Sequence, residues 1–310
     1  MSRYRRDFEA ARERLAARER RTLEHRLGVI EYTTWGEGPP MILSHPLFGG
    51  FDVGAGLAET YVGNCHRFVA PSRFGYLGSS LPRSATPADQ ADAYASILDA
   101  LGIDRTAIFG YSAGGPSVIQ FALRHPDRTA ALILMASALP GKAGKPPKIV
   151  AKVLFGSDLL FWALKQYASS LFARILGMPK GFHPTGEELR RVMDVEESLF
   201  PFQPRKHGAL FDAYVSNPDV QRYPLEDISV PTLIINTEDD GLSAFENAAR
   251  AAERIPGSKL VAIERGGHLL LGSESRIRSE IAAFVAAGGE VKKLPAPMLA
   301  PGHCGPAARP

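Results

Sequence analysis

With 310 residues, 45% of them hydrophobic and 22% charged, the chain has the composition of an ordinary soluble globular protein. A formal charge of +3 without any aromatic-plus-basic motif argues against nucleic acid as a partner, and no apolar run reaches the roughly 18 residues of a membrane span. The length suits one large α/β domain with an inserted subdomain, or two small domains.

The chain begins Met-Ser-Arg-Tyr-Arg-Arg-Asp, charged where a secretory signal would be apolar. Its two cysteines, Cys65 and Cys304, make no disulfide framework, so a reduced, cytoplasmic protein is expected. Residues 1–21 read as a helical extension, because Tyr4, Phe8, Ala11 and Leu15 recur at helical spacing. Its interleaved charges suit packing on a domain surface; a partner-binding or membrane-surface helix is the alternative. Residues 22–36 read as a β-hairpin turning near Leu27-Gly28, and Met41–Ser44 and Arg67–Ala70 as short buried strands. A helix follows over Ala88–Leu101, with Ala91, Tyr94, Ile97 and Leu98 on one face.

Next comes Ala107–Tyr111, an apolar strand, then Ser112, then a helical pattern over Pro116–Arg124. Ala130–Ala136 is another fully apolar strand. The alternation stops there and resumes with strand Pro231–Asn236, helix Ala244–Arg254, strand Lys259–Ile263 and helix Ser275–Val285. Near-continuous hydrophobic strands alternating with helices imply an α/β fold, a mostly parallel sheet covered on both faces. Residues 22–139 and 224–287 form this core, 140–223 a mostly helical insertion, and 288–310 a tail rich in Pro, Ala and Gly that is expected to be disordered.

Gly110, Ser112 and Gly114 spell G-x-S-x-G between a strand and a helix, the pattern of a nucleophile elbow. A serine projecting from so sharp a turn takes a strained backbone, and its neighbours two residues away come too close for a Cβ. The hydroxyl needs a positioned base, itself oriented by an acid. Of eight histidines, His268 follows the last apolar strand in Gly266-Gly-His-Leu, at the sheet edge where catalytic groups gather. His45 also follows a strand but reads as an anchor of its own loop, and His125 as a helix cap. The acid has two possible loops. After Ala136 the chain offers no carboxylate; after Asn236 it offers Glu238, Asp239 and Asp240.

These motifs resemble the α/β-hydrolase superfamily over about residues 22–140 and 225–287. The resemblance aligns its G-x-x-D pattern with Thr237–Asp240, implying Asp240 as the acid and Asp239 as a brace. It implies an oxyanion hole made by the amides of Ala113 and of Leu47, with Phe48 as the alternative. His45-Pro-Leu-Phe-Gly-Gly50 departs from the family's H-G-x-x-G in carrying Pro46, which has no N–H. Ser72–Ser79 resembles the family's D-x-x-G-x-G-x-S turn, which reads as a tight connection more readily than as a pocket wall. In this superfamily the insertion forms a cap. Its apolar side chains, Val150, Val153, Leu154, Phe155 and others through Phe172, pack as core or line an acyl pocket. Its basic part, with Asp158 as the one acid between Lys142 and Lys180, would then attract a substrate carboxylate.

Pocket residues are expected at Phe48, Tyr111, Phe161, Trp162 and Leu269. Ser112 argues against the dehalogenases and epoxide hydrolases, which use an aspartate. The His45 loop argues against proline iminopeptidases. Leu269 argues against carbon–carbon bond hydrolases, which carry Trp there. The resemblance implies a serine hydrolase acting on a small-molecule ester, with no metal or cofactor. Carbon–carbon cleavage, acyl transfer and a non-catalytic ligand-binding role are the alternatives.

Overall fold

The computed structural model describes residues 2–142 and 156–288. Val150, Val153, Leu154, Phe155, Cys304 and the expected tail from 289 onward lie outside the described residues. Eight strands form one sheet in the order β1-β2-β4-β3-β5-β6-β7-β8. They are β1 (Arg21–His25), β2 (Gly28–Trp35), β3 (Pro40–Ser44), β4 (Arg67–Pro71), β5 (Thr106–Tyr111), β6 (Thr129–Met135), β7 (Thr232–Thr237) and β8 (Lys259–Ile263). The hairpin β1–β2 joins β4 antiparallel, and the six strands from β4 to β8 run parallel.

The apolar strands split their side chains between two cores. Ile108, Leu132, Leu134 and Ile234 face one layer, while Phe109, Ile133, Met135 and Ile235 face the other. This is the two-residue alternation of a strand buried on both faces. Helices α3 (Pro87–Ala100), α4 (Gly115–Arg124) and α9 (Phe245–Arg254) cover the first layer; α2 (Phe51–Leu57) and α10 (Glu274–Ala286) cover the second. The chain runs from β3 outward to β4 and then back past β3 to β5. Strand order therefore reverses between β3 and β5, and ligand crevices open at the carboxyl ends of strands at such a point.

Between β6 and β7 the described insertion contains α5 (Asp158–Tyr167), α6 (Ser169–Ile175), α7 (Gly186–Ser198) and α8 (Lys206–Phe211). A capping box starts α7: the Thr185 hydroxyl accepts from the Glu188 amide at 3.2 Å, and the Glu188 carboxylate accepts from the Thr185 amide at 2.6 Å. The N-terminal helix α1 (Arg3–Ala17) packs on this insertion. Tyr4 and Phe8 meet Trp162 and Phe200, and Arg14 binds Glu197 at 2.8 Å. No described helix is long and apolar enough to cross a membrane.

One helix escapes sequence patterning. α2 reads Phe-Asp-Val-Gly-Ala-Gly-Leu, with two glycines that disfavour a helix. A Cβ on Gly54 would stand 3.0 Å from the Ala70 Cβ, so close packing on β4 rather than propensity selects the residue.

Candidate active site

Ser112 closes β5 with φ 51°, a left-handed conformation that costs energy for a residue with a Cβ. The turn fits only because its flanks are bare. A Cβ on Gly114 would lie 2.3 Å from the Ser44 carbonyl oxygen, and one on Gly110 would lie 2.4 Å from Val118. A short 3₁₀ turn, Ser112–Gly114, leads into α4 and leaves the Ala113 amide at the helix N-terminus, where unpaired N–H groups favour negative charge.

His268 stands in the turn after β8, with its Nε2 2.8 Å from Ser112 Oγ. Its Nδ1 lies 2.9 and 3.0 Å from the two oxygens of Asp240. An ionised carboxylate only accepts, so Nδ1 carries the proton and Nε2 is left as the acceptor for the serine hydroxyl. Both side chains are closed off: His268 is 6% exposed and Asp240 fully buried. Asp240 Oδ1 also accepts from the Leu242 and Ser243 amides at 2.7 and 2.8 Å. Asp239 turns away and receives the Gly267 and Gly266 amides at 2.8 and 3.3 Å.

The histidine turn is held through three successive carbonyls. Thr237 donates to Gly267 at 2.8 Å, Tyr111 to His268 at 2.6 Å and Tyr61 to Leu269 at 2.8 Å. Tyr111 also stacks on the His268 ring, 17° from parallel. Burial pushes the Tyr61 hydroxyl up to about 12 and Tyr111 well above its ordinary value, so both stay neutral donors. The insertion reaches the same turn. The Gly177 carbonyl accepts from the His268 amide at 3.2 Å and from the Gly241 amide at 3.4 Å. Gly177 has φ +83°, and a Cβ there would strike the His268 Cβ at 2.4 Å.

The loop after β3 is held by charge. Burial, and then the nearby Arg73 charge, drive the His45 pKa well below its usual value. His45 Nε2 accepts from the Arg73 amide at 3.0 Å, so Nδ1 bears the proton and donates to the Pro46 carbonyl at 2.8 Å. The Arg73 side chain donates to the His45 carbonyl at 3.1 Å and makes a two-bond pair with Asp212, 2.6 Å each. On the other side Arg205, fully buried, donates to the Gly49 carbonyl at 2.7 Å and pairs with Asp52. The Tyr76 hydroxyl donates to Asp212 and accepts from the Phe48 amide. That engages the Phe48 N–H, and Pro46 has none.

A cavity of about 840 Å³ opens over Ser112 and His268. Leu47, Phe48, Tyr111, Ala113 and Leu269 line it, together with Leu139, Leu176 and Leu199. Phe161 and Trp162 do not, against expectation. They border a second cavity of about 750 Å³ between α1 and the insertion. Two contacts hold them there: the Trp162 indole donates to Asp7 of α1 at 2.8 Å, and Phe161 stacks on Phe202 within the insertion. The Ser72–Ser79 turn is structural, with Ser72 bridging Glu31 and the Phe51 amide. Among the described residues no three His, Cys, Asp or Glu side chains converge as a metal site. Arg73, Arg205 and Tyr61 have no local sequence signal for what they do here, since each acts on a residue far away in the chain.

Comparison with known proteins takes in the same elements. The chain is similar to the uncharacterized hydrolase YcgS of Bacillus subtilis, 28% identical over 271 residues that cover 80% of this chain and 91% of that protein. It is similar to a 2-hydroxymuconate semialdehyde hydrolase of Pseudomonas putida, 24% identical over 75% of this chain and 82% of the other. A solved alpha/beta hydrolase fold protein from Nakamurella multipartita superposes with a TM-score of 0.73 at 27% identity, covering 87% of this chain and 100% of its own. The family model for the alpha/beta hydrolase fold matches residues 39–275. That match runs from the start of β3 past His268 into α10 and takes in all three residues of the hydrogen-bonded line, and the chain belongs to the alpha/beta hydrolase family.

Proposed function

We propose that the protein is a serine hydrolase that cleaves a small or medium apolar carboxylic ester through an acyl-enzyme. The observation that carries this reading is the unbroken line from Ser112 Oγ through both nitrogens of His268 to Asp240. Ser112 attacks the carbonyl carbon while His268 Nε2 takes its proton. Asp240 stabilises the imidazolium and fixes its tautomer. The tetrahedral oxyanion is received by the Ala113 and Leu47 amides, the first strengthened by the α4 dipole. His268 then protonates the leaving alcohol. Water, deprotonated by the same nitrogen, releases the acid. The insertion acts as a cap whose Leu176 and Leu199 line an apolar acyl site.

A fluorophosphonate probe should label the wild type and leave Ser112→Ala unlabelled, and the variant should lose about 10⁶-fold in kcat on 4-nitrophenyl esters. An unlabelled wild type would sink the reading. Likeness to the Pseudomonas putida enzyme supports carbon–carbon cleavage by the same three residues as a second reading. Product analysis with vinylogous diketone substrates separates the two.

A further inference from the structure

One end of the catalytic cavity is polar in a way that apolar ester cleavage does not use. Arg18, Tyr61 and Arg191 line it, and the two arginines are held by Glu59 and Thr60, the residues before Tyr61 in the π turn after α2. Glu59 pairs with Arg18, just past α1, at 3.1 Å. Thr60 Oγ1 accepts from Arg191 of α7 at 2.7 Å. Tyr61 donates to the Leu269 carbonyl, beside His268, and its ring lies 6.0 Å from the Arg191 guanidinium carbon. Two guanidiniums thus stand on adjacent residues of one turn, and that turn braces the histidine loop.

Their charges are not equally answered. Arg18 has Glu59, Arg14 has Glu197, and Asp52 is spent on Arg205. Arg191 enters no ion pair among the described residues, and its Nε is buried without a hydrogen-bond partner. Asp194, exposed on the same helix, also borders the cavity, as does Lys142. The described lining then holds four cationic side chains, Arg14, Arg18, Lys142 and Arg191, against two carboxylates, Asp52 and Asp194. A guanidinium with an unspent, desolvated N–H is costly unless an anion completes it. Its planar fork matches a carboxylate.

We propose that this end of the cavity is a carboxylate-binding subsite, with Arg191 as its anchor and Arg18 at the end of α1 as its outer wall. The preferred ester carries a free carboxylate remote from the scissile carbonyl. The substrate class rests on the ester-hydrolase reading; the subsite does not. α1 and Arg18 precede the residues that the family model matches.

The test compares 4-nitrophenyl hydrogen glutarate with the neutral 4-nitrophenyl hexanoate. Wild type should prefer the charged ester. Arg191→Leu should lower kcat/KM for it by about 30-fold, the scale of a charge-assisted bond, while the neutral ester changes less than about threefold. Arg191→Lys should recover part of the loss. Calorimetry of glutarate against wild type and Arg191→Leu reads the subsite without turnover. Equal use of both esters by the wild type, or glutarate binding indifferent to Arg191→Leu, overturns the proposal. If neither ester is turned over, the hydrolase reading fails, and glutarate binding alone decides the subsite.

Discussion

The two loops that flank Ser112 are secured by different means. The histidine turn hangs on three neutral hydroxyls, Thr237, Tyr111 and Tyr61, each bonded to one backbone carbonyl, and on the Asp239 carboxylate, which takes two of its amides. The loop after β3 is gripped by two buried guanidiniums, Arg73 and Arg205, each balanced by a carboxylate. The proposed mechanism accounts for the difference. In it His268 gains and loses a proton, and a fixed cation against its ring would penalise the charged form. In it the His45 loop holds amides still while negative charge develops nearby, and strong fixed bonds serve that. Burial alone would disfavour the Arg73 charge, yet Asp212 outweighs it and holds the guanidinium protonated.

The comparison can be broken most sharply at Arg73. Arg73→Met leaves Asp212 buried without its cation and should cost about 3–5 kcal/mol in urea unfolding, with kcat falling as the loop loosens. At the histidine turn, Tyr111→Phe strands one carbonyl and should cost about 1–3 kcal/mol, measured the same way. A Tyr111→Phe loss as large as that at Arg73 would erase the distinction drawn here. The smallest effect is expected away from both loops, at Glu196 in the second cavity. Burial pushes its carboxyl from the ordinary 4.5 up to about 7, with Lys165 pulling it back. The folded chain therefore holds this proton to higher pH than the unfolded one. Its contribution to stability is complete below about 4.5 and is lost as pH rises toward 7. Thermal melts across that window should slope downward for wild type and flatten for Glu196→Gln.

The strands and the elbow were legible because their signals are local. Apolar runs such as Ala130–Ala136 fall close to the observed Thr129–Met135, and G-x-S-x-G states a steric fact about three neighbouring residues. Ser112, His268 and Asp240 could be named from loop positions and the family pattern, and they meet within 3.0 Å. What stayed hidden is tertiary. Arg73 finds Asp212 across 139 positions, and no pattern in Ser72–Ser79 announces it. Phe161 and Trp162 are as apolar as any pocket residue, and only their tertiary partners, Phe202 and Asp7 of α1, decide which cavity they face. Helix α2 has no local signal because its glycines serve a neighbour rather than the helix. Nothing local marks Arg191 within its charged segment, since an unanswered cation is defined by what surrounds it in space.

Gly177 has a practical consequence for anyone recombining this protein. Its single carbonyl takes the amides of both His268 and Gly241, so the inserted segment is part of the scaffold under His268, the proposed base. Exchanging that segment for one from a relative is not a swap of a detachable accessory. A graft that lacks a carbonyl at this spot, or places a side chain where Gly177 has none, would unseat the histidine while leaving the sheet intact. The boundary of the interchangeable module therefore has to be drawn outside residue 177.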